Sequence, residues 1–251
     1  MKSKLFLTVL VLVSIAATAQ KTKFGAKAGL NVSVLSLSGN IPSGGQTSAK
    51  TGFVVGATAE FEISKKFGVQ PELLFSTDGG TYNYTNSFAG SGSVYSYSQS
   101  ISTNSLTLPV IAKYYVTNDL SIDAGFQLSY LISAKSELNF NSNGFTVTGN
   151  NDMNNNQSNL ISNGSPAQNL IINHDYELNK LNFGLVLGTT YNLKNGIFLQ
   201  ARYNLGLTNF TKNANVLAGK EIVSGGSGDD RYKGANLKNA AFQLTVGYKF
   251  K

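Results

Sequence analysis

"FGAKAGLNVSV", Phe24 to Val34, places an apolar residue at every second position. Phe24, Ala26, Ala28, Leu30, Val32 and Val34 alternate with Gly25, Lys27, Gly29, Asn31 and Ser33. In an extended strand that pattern gives one greasy face and one small polar face. What decides the fold is which face meets solvent, and what that solvent is.

The same alternation recurs seven more times. "GFVVGATAEFEI" (from Gly52), "FGVQPELLFS" (from Phe67), "SLTLPVIAKYYV" (from Ser105) and "LSIDAGFQLSYL" (from Leu120) carry it through the first half. "LNFGLVLGTTYNL" (from Leu181), "IFLQARYNLGLT" (from Ile197) and "FQLTVGYKF" (from Phe242) complete the set. Most of these runs exceed the five or six residues of an ordinary strand and match the roughly nine to eleven of a tilted strand crossing a bilayer. Their connections alternate in length. Ser64-Lys65-Lys66, Thr117-Asn118-Asp119 and Lys194-Asn195-Gly196 are tight turns, and Asn-Gly is a strong hairpin signal. Leu35–Lys50, Thr77–Asn104, Ile132–Asn179 and Asn209–Asn239 are long. Short turns at one end and long loops at the other are the signature of an outer-membrane barrel, and an even strand count lets the last strand pair with the first.

The N-terminus supports export. Met1-Lys2-Ser3-Lys4 is a basic start, Leu5–Ala17 is apolar, and Ala17-Thr18-Ala19 offers a small-x-small cleavage site. Residues 1–19 are therefore expected to be a cleaved signal peptide and residues 20–251 one barrel domain. Removing 19 of the 251 residues leaves 232, and dropping Lys2 and Lys4 lowers the formal charge from +7 to about +5. There is no cysteine, so disulfides play no part. Charged residues make up 13 % of the chain, about half the roughly 25 % of a soluble domain, so the chain lacks a charged coat. No basic stripe is available for nucleic acid, and no later apolar run is long enough for a transmembrane helix.

The two faces can be assigned from composition. A soluble barrel with a greasy interior would coat its outside in Lys and Glu, whereas the polar face here is Gly, Ser, Thr and Asn with isolated charges. Small polar residues suit a narrow lumen. Aromatic residues gather near both ends of the apolar face, as two interfacial girdles require. The inward charges are Lys27, Glu60, Glu72, Lys113, Asp123, Arg202 and Lys249. Counting back from the second turn sets Lys113 across from Asp123, and Glu72 and Arg202 lie at similar heights above their turns, within reach of one another across the lumen. These charges are read as structural, because an eight-stranded barrel has an interior only wide enough for side chains.

Chemistry is sparse. His174 is the single histidine, and a hydrolytic rim site built on it has only neighbouring Asp175 and unplaced serines. One histidine and no cysteine cannot form a typical transition-metal site, and "GGSGDD" (225–230) and "NNDMNNN" (150–156) lack the spaced acids of a calcium loop. No phosphate cradle is present. The Asn/Ser-rich stretch 132–179 reads as a mobile, hydrated loop, and "GSGSVYSYSQS" (90–100) as an extension of a hairpin beyond the membrane. No catalytic, cofactor or metal residues are expected.

"FGAKAGLNVS", "FGVQPELLFS", "LTLPVIAKYYV", "AGFQLSYLISAK", "NFGLVLGTTYNL", "ARYNLGLTN" and the closing "FQLTVGYKF" together resemble the PorT-type outer-membrane β-barrel proteins common in Bacteroidetes. The resemblance spans the mature chain apart from its long loops. It implies insertion by the barrel-assembly machinery, which reads a C-terminal aromatic signature; here Phe250 is penultimate and Lys251 follows. The family takes its name from a protein needed for protease secretion. The combined expectation is an all-β, eight-stranded antiparallel transmembrane β-barrel in a Gram-negative outer membrane, with periplasmic termini and four extracellular loops. It is expected to contact outer-membrane lipid and lipopolysaccharide, and to serve envelope structure or surface interaction. A part in a secretion complex is the alternative; a rim enzyme or narrow channel ranks below it.

Overall fold

A computed structural model describes residues 22–38, 45–87, 94–142, 145–154, 157–163, 178–210 and 236–250. The signal segment, His174 and "GGSGDD" lie outside the described residues. Among the described residues there are ten strands: β1 (Thr22–Ser38), β2 (Gln46–Glu62), β3 (Phe67–Ser87), β4 (Val94–Tyr115), β5 (Leu120–Ser142), β6 (Phe145–Asp152), β7 (Gln157–Asn163), β8 (Leu181–Asn192), β9 (Ile197–Gly206) and β10 (Asn236–Lys249). Eight of them form a closed antiparallel ring, β1-β2-β3-β4-β5-β8-β9-β10, in which β10 pairs back onto β1 from Gly25↔Lys249 to Ser38↔Asn236. Closure leaves the ring without an edge.

The opening stretch shows the two faces directly. Leu30 is 62 % exposed and Asn31 is fully buried, one residue apart. Phe24, Val32, Phe53, Leu108, Phe126 and Leu187 stand outward and exposed around the ring. Three outward aromatic pairs, Phe53–Phe75, Phe67–Tyr114 and Phe126–Phe183, have centroids 5.9, 5.1 and 6.0 Å apart. An apolar exterior around a polar interior is stable only where the surrounding medium is itself apolar.

Each tight turn is closed by its own first or second polar side chain. Ser64 Oγ accepts from the Lys66 and Phe67 amides, Thr117 Oγ1 from Asp119 and Leu120, and Asn195 Oδ1 from Ile197. Gly196 sits at φ 89°, the left-handed conformation that explains Asn-Gly at this turn.

At the other end the strands run further than the sequence suggests. Two register shifts occur at one level, between Ala49 and Val54 of β2 against β3 and between Asn104 and Ser105 of β4 against β5. Beyond them β3 and β4 stay paired to Ser87↔Val94, and β5 continues to Ser142 and is joined by β6 and β7. Stretches expected as loop, Thr77–Ser87, Val94–Asn104 and Ile132–Asn163, are thus largely a sheet standing above the ring. Its inner face is buried at Tyr82, Tyr97, Ile101, Ala134, Leu138 and Met153, and cross-strand Ser, Thr and Asn neighbours line much of the rest. The expected hairpin extension corresponds to the described part of 90–100, Val94–Ser100.

Candidate functional site

The lumen holds the seven inward charges, arranged as three centres. At the first, Glu72 of β3 meets Arg202 of β9 and Lys27 of β1. In the ring β3 and β9 are four strands apart, so this contact spans the barrel. Arg202 is bidentate, with Nη1 2.7 Å from Oε2 and Nη2 2.5 Å from Oε1. Lys27 Nζ donates to Oε2 at 2.8 Å, and Gln70 Nε2 to Oε1 at 2.5 Å. Four donors therefore saturate two oxygens, and the Lys27 and Glu72 side chains are fully buried. That is the condition under which a buried carboxylate is tolerated.

The second centre is Asp123 on β5. Lys113 is its direct cross-strand partner, with Nζ 3.4 Å from Oδ2. Ser121 donates to Oδ1 at 2.7 Å, while Thr190 and Gln200 donate to Oδ2 at 2.5 and 3.2 Å. Gln200 also accepts from Lys27 Nζ through Oε1 at 2.8 Å. One amide thus ties the two carboxylate centres together.

The third centre is nearest the short turns. Lys249 Nζ lies 2.7 Å from Glu60 Oε2 and donates to Asn192 Oδ1 at 2.6 Å. Tyr115 donates its hydroxyl to Glu60 Oε1. Phe198 packs beneath Lys249, 5.5 Å from ring centroid to ammonium.

Above these centres lies a cavity of about 60 Å³ lined by Ser76, Asp78, Thr107, Gln127, Arg202 and Gln243 among others. Such a space holds a few waters. Leu35, Leu131 and Phe210 also line it, and they belong to an apolar cluster with Ile101, Ala134 and Met153. Asp78, in the stretch expected to be loop, is an eighth charge facing the lumen. It accepts from Asn31 at 2.5 Å and Ser76 at 3.0 Å, and it brings the lumen to four cations and four carboxylates. Its signal was parity: Glu72, Leu74, Ser76 and Asp78 share a face once β3 is allowed to continue.

Among the described residues, no group of three or more His, Cys, Asp or Glu is placed to hold a metal ion. Asp152, in the Asn-rich stretch, accepts from the Asn154 amide at 3.0 Å and so shapes a turn. The constellation offers cross-bracing of opposite walls and a filled section between the short-turn mouth and the cavity.

Residues 18–212 match the family described as "Outer membrane protein beta-barrel domain". The ring-closing strand β10 lies beyond that span. Among solved structures, Neisserial surface protein A is 13 % identical over 92 % of this chain and 100 % of its own, with a TM-score of 0.43. Ail, the attachment invasion locus protein of Yersinia pestis, is 13 % identical over 92 % and 100 %, at 0.39. OprG from Pseudomonas aeruginosa is 14 % identical over 91 % and 95 %, at 0.39. No curated protein matches the chain.

Proposed function

This chain belongs to the outer membrane protein β-barrel domain family, and from that premise we propose that it is a non-enzymatic barrel serving envelope structure and surface interaction. One observation carries the reading. Opposite walls are clamped through Glu72 and Arg202 inside a lumen of paired charges, while β3 to β7 continue past the ring as a sheet available to partners. The short-turn end, near Thr22 and Phe250, is assigned to the periplasm and the sheet to the exterior, following the usual disposition of such barrels. Planar-bilayer recording tests the filled lumen: near-zero conductance is expected, and a steady open channel overturns the reading.

Orientation has its own test. Because the chain has no cysteine, Glu137→Cys and Lys65→Cys are clean reporters. A membrane-impermeant maleimide should label the first on intact cells and the second only after the envelope is opened; the opposite order overturns the assignment.

The PorT-type motifs favour a second reading, an accessory component of a protein-secretion system. Under it, deleting the gene retains cargo proteins inside cells whose envelope stays intact. Under the surface reading, cargo export continues and binding to surfaces or envelope integrity declines.

A further inference from the structure

Each of the four lumen cations Lys27, Lys113, Arg202 and Lys249 faces a carboxylate. The short-turn end is different. Its mouth is a bowl of about 1010 Å³ whose lining includes Lys23, Lys65, Tyr115, Asp119, Lys194 and Lys249. Lys249 is committed to Glu60, and Lys23 is paired with Glu62. Lys65 and Lys194 have no ion-pair partner among the described residues, and both are exposed, as is Lys66 beside them. Lys65 belongs to the β2–β3 turn and Lys194 to the β8–β9 turn, which are diametrically opposed in the ring. Of the two carboxylates that line the mouth among the described residues, Glu62 is held by Lys23, and Asp119 of the β4–β5 turn is the one without an ion-pair partner. Ile63, Leu193, Ile197 and Phe250 also border the mouth.

From this geometry we infer that the short-turn mouth is a docking seat for an acidic, extended segment of a partner protein. The two free ammonium groups on opposite sides of the rim attract carboxylates at separated positions along the segment. Asp119 on the third side disfavours a uniformly anionic polymer. The apolar wall residues meet the intervening side chains, and the paired Lys249–Glu60 centre forms the floor, so the segment docks without entering the lumen. Charge complementarity at a rim acts mainly through association rate and is sensitive to salt. The inference rests on the orientation proposed above only for where the partner resides; the seat itself is tested on purified protein.

The probe is a fluorescein-labelled octapeptide of alternating Glu and Leu, titrated by anisotropy against the folded full-length barrel in neutral detergent at low and moderate salt. Binding that weakens about tenfold in Lys65→Gln/Lys194→Gln, and falls as salt rises, is expected. Lys135→Gln/Lys180→Gln, exposed lysines near the opposite end, should bind as the parent does. Retained boiling-dependent gel mobility shows that each variant is still folded. Should the double variant fail to fold, the single variants Lys65→Gln and Lys194→Gln, each expected to weaken binding about threefold, keep the comparison. Binding unchanged by loss of Lys65 and Lys194, equal loss in the Lys135/Lys180 variant, or no binding at all overturns the inference. Polyphosphate binding more tightly than the peptide at the same charge also overturns it, by pointing to a phosphate ligand. Maleimide labelling of Lys65→Cys separately locates the seat, so an exterior result would revise the partner's compartment and leave the binding result standing.

Discussion

Arg202 and Glu72 join opposite walls of the barrel through two hydrogen bonds of 2.7 and 2.5 Å, with both side chains almost wholly removed from solvent. Lys27 shares the same carboxylate, so the centre is a cation–anion–cation triad rather than a pair.

Removing the shared anion leaves two buried cations facing one another. Glu72→Ala should destabilise the barrel by about 3–5 kcal/mol, because breaking a buried ionic group strands its partners. Replacing all three residues together, Lys27→Met, Glu72→Leu and Arg202→Met, should recover most of that loss. Unfolding in urea, followed by gel mobility without boiling, measures both. A Glu72→Ala barrel as stable as the parent would remove the triad from any structural role.

Lys113 and Asp123 face one another in register, yet at 3.4 Å their ionic contact is longer than those around Glu72. Thr190 mediates between them, accepting from Lys113 at 3.0 Å and donating to Asp123 at 2.5 Å. A double-mutant cycle with Lys113→Met and Asp123→Leu should give a coupling of about 0.5–3 kcal/mol. That coupling should shrink in a Thr190→Val background. Additive single losses would dissolve the pair.

Much of this was legible in the sequence because parity is a strong constraint. With every second residue inward, Lys27, Glu60, Glu72, Lys113, Asp123, Arg202 and Lys249 could be assigned to the lumen before any contact was known. The tight Thr117-Asn118-Asp119 turn fixed the Lys113–Asp123 register by counting. Equal height above the turns likewise brings Glu72 within reach of Arg202 across the lumen, whereas the further partners of that centre depend on strand stagger and side-chain reach. Thus Lys27's share of Glu72 and the bridge through Gln200 had no sequence signal. Asp78 was missed for a different reason. The Ser- and Thr-rich continuation of β3 lacks the apolar alternation that marks a strand in lipid, although its backbone pairing continues.

Gln200 and Thr245 provide a contrast between two buried polar side chains on neighbouring strands. Gln200 serves both carboxylate centres, accepting from Lys27 and donating to Asp123 and Thr190. Thr245 Oγ1 is buried without a hydrogen-bond partner. Gln200→Leu should therefore cost about 1–3 kcal/mol, the penalty for leaving buried partners unsatisfied, whereas Thr245→Val should be neutral or stabilising. Equal losses in the two variants would show that the hydrogen bonds of Gln200 add nothing beyond filling space.

Gly247 and Phe198 are direct partners on β10 and β9, and the phenyl ring lies where a side chain on residue 247 would go. A Cβ there would stand 2.2 Å from Phe198 Cζ and 2.7 Å from the Ala26 carbonyl oxygen. The ring covers an otherwise bare stretch of strand, as aromatic neighbours do for glycines in sheets. It also lies against Lys249, so it holds the floor of the short-turn mouth. Gly247→Val should force the ring aside and cost about 1–3 kcal/mol by overpacking. Adding Phe198→Leu should return part of the loss, since the smaller side chain vacates the contested volume, although the Ala26 carbonyl still opposes the new side chain. The measurement is urea unfolding of the two single variants and the double. A double variant no more stable than Gly247→Val alone would place the strain at the Ala26 backbone instead of the ring.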